Sequence, residues 1–244
     1  MITASGLSFT YRGNTTPALS ELSFSIPKGA LVCLCGINGS GKSTLFSLLA
    51  GLQTPTAGTL SVDEVFARGN EKELRAQSAL VLQDADLQII GSTVAEDMLL
   101  AFPAQNPEAE PACRNMAKRF SLHDHWESPV HTLSYGQKRK LCLAVSLLST
   151  PSLLLLDEPF SGLDYPAMLE MRSIMRANKE QGLTQIVSVH DLEPVIDLAD
   201  SMIVLHQGDL KGAGAPDELL DSLLTYGIRP PYSWLRDKTI AAWE

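Results

Sequence analysis

An α/β fold with a mainly parallel core sheet follows from two features of this sequence: apolar runs of strand length, and helical stretches between several of them. The runs lie at Leu31–Cys35, 79–82, 153–156, 186–189 and 202–205. They are almost continuously apolar, as strands buried on both faces are, rather than alternating. A third feature locates the chemistry. Gly36-Ile37-Asn38-Gly39-Ser40-Gly41-Lys42-Ser43 joins the first run to a helix expected over 42–50, and it meets the G-x-x-x-x-G-K-[ST] pattern of a phosphate loop.

Before that loop, Leu7-Ser8-Phe9-Thr10-Tyr11 and Leu22-Ser23-Phe24-Ser25-Ile26 alternate apolar and polar residues with turn residues between them. They predict antiparallel strands in a small N-terminal β subdomain. Cys33 and Cys35 share one face of the next run and are read as small core residues, since no C-x-x-C pairing is present. In the loop itself, glycines let the backbone curl so that successive N–H groups face phosphate oxygens, and the helix adds its positive end. Asn38, Gly39, Ser40, Gly41, Lys42, Ser43 and Thr44 are thus the expected contacts to a nucleoside triphosphate, with Lys42 the cation for its β- and γ-phosphates. Ser43 offers a hydroxyl to Mg²⁺, which prefers oxygen ligands.

From 83 to 150 the pattern turns helical and less regular, with a loop at Phe102-Pro103-Ala104-Gln105-Asn106-Pro107 and a helix over 112–120. Ser134 and Gln137 form an S-x-x-Q capping box ahead of a helix whose apolar positions are Leu141, Ala144, Val145 and Leu148. Its N-terminus, with Ser134 and the Gly136 backbone, suits a γ-phosphate. The run at 153–156 ends in Asp157-Glu158, which puts two acids at the carboxyl end of a buried strand, where open α/β sheets bind ligands. Asp157 is suited to the Mg²⁺ shell. Glu158 is suited to deprotonate an attacking water, a role worth about 10²–10⁴-fold in rate.

A single domain over 1–244 is expected: 1–82 and 151–225 form the core with its β subdomain, 83–150 an inserted helical part, and 226–244 a tail. The net charge of −9 argues against gripping nucleic acid by bulk charge, so no nucleic-acid partner is expected. The start lacks a basic segment before an apolar core, and no apolar run is long enough for a bilayer, so a cytoplasmic location is expected.

Together these parts resemble the ATP-binding cassette of ABC transporters, a P-loop NTPase fold, over about residues 1–225. Leu133-Ser134-Tyr135-Gly136-Gln137 resembles the L-S-G-G-Q signature, with Tyr135 replacing a glycine. The resemblance implies that Tyr11 stacks on adenine, that Gln83 links metal, water and a transmembrane partner, and that Ser161-Gly162-Leu163-Asp164 is the D-loop. It also implies that His190 is a switch histidine at the γ-phosphate. The segment 83–97 is similar to Q-N-P-D-x-Q-[IL]-x-x-x-[ST]-V-x-x-D of energy-coupling-factor importers of vitamins and transition-metal ions, with Asp84-Ala85 in place of Asn-Pro. The ending Gly227-Ile228-Arg229-Pro230-Pro231 resembles that group too.

What this implies is an ATP- and Mg²⁺-dependent motor subunit, peripheral on the inner face of the cell membrane and bound to transmembrane transporter subunits. One phosphate loop and one signature per chain require a second cassette, in a homodimer or a heterodimer. The competing reading is a soluble ATPase of the same class that remodels ribosomes or DNA; tandem cassettes or basic insertions would favour it, and neither is visible. A non-catalytic nucleotide sensor would lack Glu158 or His190.

Other residues admit more than one reading. Lys138, Arg139 and Lys140 form either a solvated face or a phosphate-facing one. Trp234 and Trp243 either anchor a dimer contact or pack back on their own domain. His123 and His125, around Asp124, are read as a surface turn rather than a metal site. Glu96 and Asp97 are expected to pair with arginine from a docking helix of a membrane subunit.

Overall fold

In the computed structural model, which describes residues 1–243, the chain opens with antiparallel strands β1 (Ile2–Phe9) and β2 (Leu19–Ile26). Then follow β3 (Leu31–Cys35), α1 (Lys42–Leu49), β4 (Ala57–Val62), β5 (Val65–Phe66), α2 (Glu71–Gln77) and β6 (Ser78–Val81). Helices α3 (Val94–Leu99), α4 (Ala109–Arg119) and α5 (Tyr135–Leu148) separate β6 from β7 (Leu153–Asp157). The remainder is α6 (Tyr165–Glu180), β8 (Thr184–Val189), β9 (Ser201–His206), β10 (Asp209–Gly214), α7 (Pro216–Leu219) and α8 (Tyr232–Asp237). The sheet order is β5-β4-β1-β2-β10-β9-β3-β8-β7-β6. Its run from β9 to β6 is parallel.

The continuous apolar runs have a direct cause. In β3, Leu31, Cys33 and Cys35 enter one core and Val32 and Leu34 the other. In β7, Leu154 and Leu156 take the first side and Leu153 and Leu155 the second. Because strand side chains alternate between faces, a strand covered on both sides must be apolar at every position. Burial also keeps the thiols protonated: it pushes Cys35 up to about 12, against the opposing pull of Lys42, and raises Cys33 as well. They are inert core residues.

The elements that differ from expectation are those whose burial is one-sided or irregular. Strand β1 begins at Ile2 rather than Leu7, because an irregularity between Ala4 and Leu7 breaks the alternation that marks a strand in sequence. Strand β4 buries only Leu60 and Val62, and β10 is Gly-rich, so neither carries an apolar run. Strand β10 is instead defined by its hairpin: Gln207 (φ 52°) and Gly208 (φ 83°) form the two-residue turn that pairs Asp209 with His206.

The tail folds back. Trp234 is buried and donates from Nε1 to Asp221 Oδ1 at 2.8 Å, while Trp243 packs at a tilt against Tyr165, ring centroids 5.3 Å apart, with the Arg172 guanidinium over its ring. Arg172, on α6, is 4% exposed. It makes a bidentate pair with Asp197, both bonds 2.7 Å, and donates to the Pro194 carbonyl at 2.7 Å. The segment following His190 is thereby fastened to α6.

Removing one partner of such a buried pair strands the other charge, at a cost of about 3–5 kcal/mol. Arg172→Ala should therefore lower the unfolding free energy by about that amount in denaturant titration, whereas Arg236→Ala, at the solvent-exposed pair with Asp237, should leave it essentially unchanged. Equal losses would show that the pair does not hold the segment.

Candidate active site

The loop after β3 passes over a cavity of about 580 Å³ lined by Tyr11, the whole of 38–44, Gln83, Asp157 and Glu158. Two glycines make this path possible. A Cβ on Gly36 would lie 2.6 Å from the Leu205 carbonyl oxygen, and one on Gly41, at φ 108°, would lie 2.5 Å from Leu19 Cδ2. Gly41 caps α1 without a side-chain hydrogen bond. Among the described residues, the amides of Gly39, Gly41, Lys42 and Ser43 make no backbone hydrogen bond, and the buried Ser40 hydroxyl has no partner. A ring of unpaired donors at a helix N-terminus fits an anionic phosphate chain.

Lys42 is buried, with Nζ donating to the carbonyls of Gly36 at 2.8 Å and Ile37 at 3.3 Å. Burial lowers its pKa, and the nearby Glu158 and Asp157 carboxylates act in the opposite sense. Tyr11 packs edge-on against Phe9, with ring centroids 4.8 Å apart, and its hydroxyl lies 3.1 Å from Thr44 Oγ1. The ring is 41% exposed at the rim of the cavity, leaving a face open to stack on a flat base.

Strand β7 delivers the two acids. Ser188, buried in neighbouring β8, donates its hydroxyl to Asp157 Oδ1 and accepts from the Glu158 amide at 3.0 Å. Glu158 itself sits at φ 48°, a left-handed conformation costly for a residue with a Cβ. That conformation turns its carboxylate between Gln83, whose Nε2 donates to Oε2 at 2.9 Å, and His190, whose Nε2 contacts Oε1. Backbone strain held in place by surrounding hydrogen bonds is characteristic of sites that do chemistry. His190 does not line the phosphate-loop cavity. It opens onto a separate one of about 340 Å³, shared with Glu158, Phe160 and Trp243.

The signature residues also stand apart. Ser134, Gly136, Gln137 and Asp164 line a cavity of about 450 Å³ between α5 and α6. The capping box forms as its spacing predicts: Ser134 Oγ accepts from the Gln137 amide at 3.2 Å, and Gln137 Oε1 accepts from the Ser134 amide at 2.8 Å. The Gln137 side chain is further engaged by His125 Nε2 at 2.8 Å, which leaves one N–H of its amide for a ligand. Asp164 caps α6, accepting from Ala167 at 3.0 Å.

Neither reading of the basic triplet describes it well. Lys138 pairs with Asp86 at 2.6 Å, Lys140 with Glu170 at 3.1 Å, and Arg139 is 1% exposed. Asp97 is likewise not a free carboxylate. It is buried and accepts from the amides of Ile90 and Gly91, both at 2.8 Å, while Glu96 accepts from Ser92 at 2.7 Å. The two acids shape the loop before α3 instead of awaiting an arginine. Sequence reasoning missed Ser188, and it read His125 as part of a surface turn rather than as the partner of Gln137. Ser188 carried a faint signal, as the one hydroxyl in the last apolar stretch before His190.

The model of the ABC transporter family matches residues 19–161, more than half of the chain. The chain belongs to the ABC transporter family. Over 232 residues this cassette is 33% identical to the energy-coupling factor transporter ATP-binding protein EcfA2 of Leuconostoc mesenteroides, covering 90% of the chain and 81% of the relative. It is 32% identical to the cobalt import ATP-binding protein CbiO of Rhodobacter capsulatus, covering 95% of the chain and 85% of that protein. Among solved structures it is similar to cbiO1 of Clostridium perfringens, part of the ABC transporter complex cbiONQ. There the identity is 29%, the TM-score 0.81, and the coverage 97% of this chain and 95% of that one.

Ser188→Ala removes the hydroxyl that serves both Asp157 and the Glu158 amide. ATP turnover should fall about tenfold, with stability lowered by only about 1 kcal/mol, since Asp157 Oδ1 loses its donor while the Glu158 amide keeps the Ser188 carbonyl at 3.2 Å. Steady-state ATPase measurement beside thermal unfolding checks it; wild-type turnover would mean that the acids are oriented without Ser188.

Proposed function

We propose that this cassette is the ATP-hydrolysing motor subunit of a membrane importer of the energy-coupling-factor type, working as one of two cassettes that close on two ATP molecules. The separation of the signature from the phosphate-loop cavity carries this reading. Ser134 and Gly136 line a different cavity from Lys42 and Glu158, so a phosphate held by the loop meets a signature only from a second cassette. The assignment to import rests on the relatives, named for energy coupling and cobalt import. Among the described residues, no helix is long and apolar enough to cross a membrane.

The mechanism we infer is positional. The free loop amides and Lys42 hold the β- and γ-phosphates, and Tyr11 holds the base. Mg²⁺, with Ser43, Asp157 and Gln83 as its protein ligands, would neutralise phosphate charge. Glu158 accepts the proton of the attacking water, aligned by Gln83, while His190 steadies the carboxylate from the opposite side. Ser134 and Gly136 of one cassette would face the γ-phosphate of the other. Release of that contact on hydrolysis lets the pair reopen.

Docking on the membrane subunits follows from the inserted helical segment. Leu87 is 77% and Ile90 82% exposed, and Ile90 and Leu100 line one shallow cavity with Val145. Exposed apolar side chains gathered in this way mark an interaction site. Asp97 lines the same cavity, with its carboxylate already accepting from the Ile90 and Gly91 amides.

Two experiments test the reading. Glu158→Gln should retain nucleotide affinity and lose turnover by at least about 10²-fold in the assembled complex, whereas Lys42→Ala should weaken binding itself. Wild-type hydrolysis by the Glu158 variant would sink the general-base assignment. In the second, Leu87→Asp with Ile90→Asp should reduce co-purification with the membrane subunits while the isolated cassette binds ATP as before. Full recovery of the complex would move the docking site elsewhere.

A further inference from the structure

Tyr135 replaces the usual signature glycine, and its surroundings are specific. The phenol donates to the Gln83 carbonyl at 3.3 Å and accepts from Arg139 Nη2 at 2.9 Å and Nε at 3.3 Å. Its ring fills the space beside Gly162, where a Cβ would come within 3.0 Å of Cε1. Arg139 is almost completely buried, and its Nη1 has no partner, so the phenol oxygen is the principal acceptor of a guanidinium withdrawn from water. A second strut runs in parallel: Lys138, on the same helix, pairs with Asp86. Beyond the carbonyl, the Gln83 side chain donates to Glu158. One continuous path therefore runs from the capped end of α5 through Tyr135 and Gln83 to the carboxylate.

We propose that Tyr135 is a positioning residue that couples the two nucleotide sites of the cassette pair. The inference rests on the composite-site reading above. In that arrangement the Ser134–Gly136 end of a chain serves its partner's nucleotide, while Gln83 and Glu158 of the same chain serve its own. The phenol joins them. Closure of the signature on one γ-phosphate pulls on the main chain of Gln83 and so sets Glu158 for the other. A glycine at this position could pass no such displacement through a side chain. A coupling carried by the phenol's bond to the Gln83 carbonyl, with the oxygen held by the Arg139 guanidinium, has two properties: it depends on the phenol oxygen rather than on the ring, and it acts on turnover rather than on nucleotide binding by the single chain.

The test uses the assembled transporter. Wild type is expected to hydrolyse ATP with positive cooperativity in ATP concentration. Tyr135→Phe keeps the ring against Gly162 and removes the oxygen; kcat should fall about fivefold or more and the Hill coefficient move toward one, with ATP affinity of the isolated cassette unchanged. Because that change strands the Arg139 charge, Tyr135→Phe with Arg139→Met, which removes the charge and keeps an apolar chain, guards against misfolding and should show the same loss. Wild-type kcat and cooperativity in either variant, once folded and nucleotide-binding, overturn the proposal. So does wild-type hydrolysis without cooperativity. Glu158→Gln measured alongside separates the two levels: if it is inactive while Tyr135→Phe behaves as wild type, only the coupling fails. If Glu158→Gln hydrolyses normally, the reading of the site beneath it fails.

Discussion

Parallel pairing of β3, β8 and β7 forces three loops to leave the sheet at one edge. The register pairs Cys35 with Val189 and Ser188 with Asp157. The phosphate loop, Asp157-Glu158 and His190 therefore emerge side by side, although they are far apart in sequence. Everything chemical in the molecule depends on that register. A slip of one residue would turn Ser188 to the opposite face and take its hydroxyl away from the Asp157 carboxylate and the Glu158 amide.

The edge then has to hold charge without collapsing. Lys42 is anchored by two carbonyls beneath the loop and lies in the field of both acids, which offsets part of the cost of its burial. Glu158 is held at a positive φ by Ser188 and flanked by Gln83 and His190. Such a set is held by the protein's own hydrogen bonds, and preorganisation of this kind lowers the cost of stabilising charge as it develops on phosphate.

Elsewhere the acids and bases are spent on architecture. Asp97 and Glu96 organise the loop before α3, Gln137 and His125 stiffen the start of α5, and Arg172 with Asp197 ties the segment after His190 to α6. The turn at 85–87 forms without a proline because Asp84 accepts from the Asp86 amide at 3.0 Å and Ala85 is buried beneath it. Gln88 secures that turn to the end of β6 by accepting from the Leu82 amide at 2.9 Å. The turn so fastened carries the exposed Leu87 and Ile90 and lies next to Gln83, whose carbonyl meets Tyr135.

By itself the sequence determined the doubly covered strands, the phosphate loop, the capped signature helix and the acids at a strand end. Each is encoded by neighbours along the chain: apolar continuity, glycine spacing, or a hydroxyl three residues before an amide. Only the tertiary structure decided which long side chains remain free. Asp97 and Arg139 find their partners in backbone amides and a phenol, and Gln137 reaches, beyond its capping bond to Ser134, a histidine; no periodicity announces these contacts. Strands β4 and β10 were hidden for a related reason, since pairing rather than apolar content defines them. The same limit applies to His190, whose contact with Glu158 exists because β7 and β8 are adjacent in the sheet.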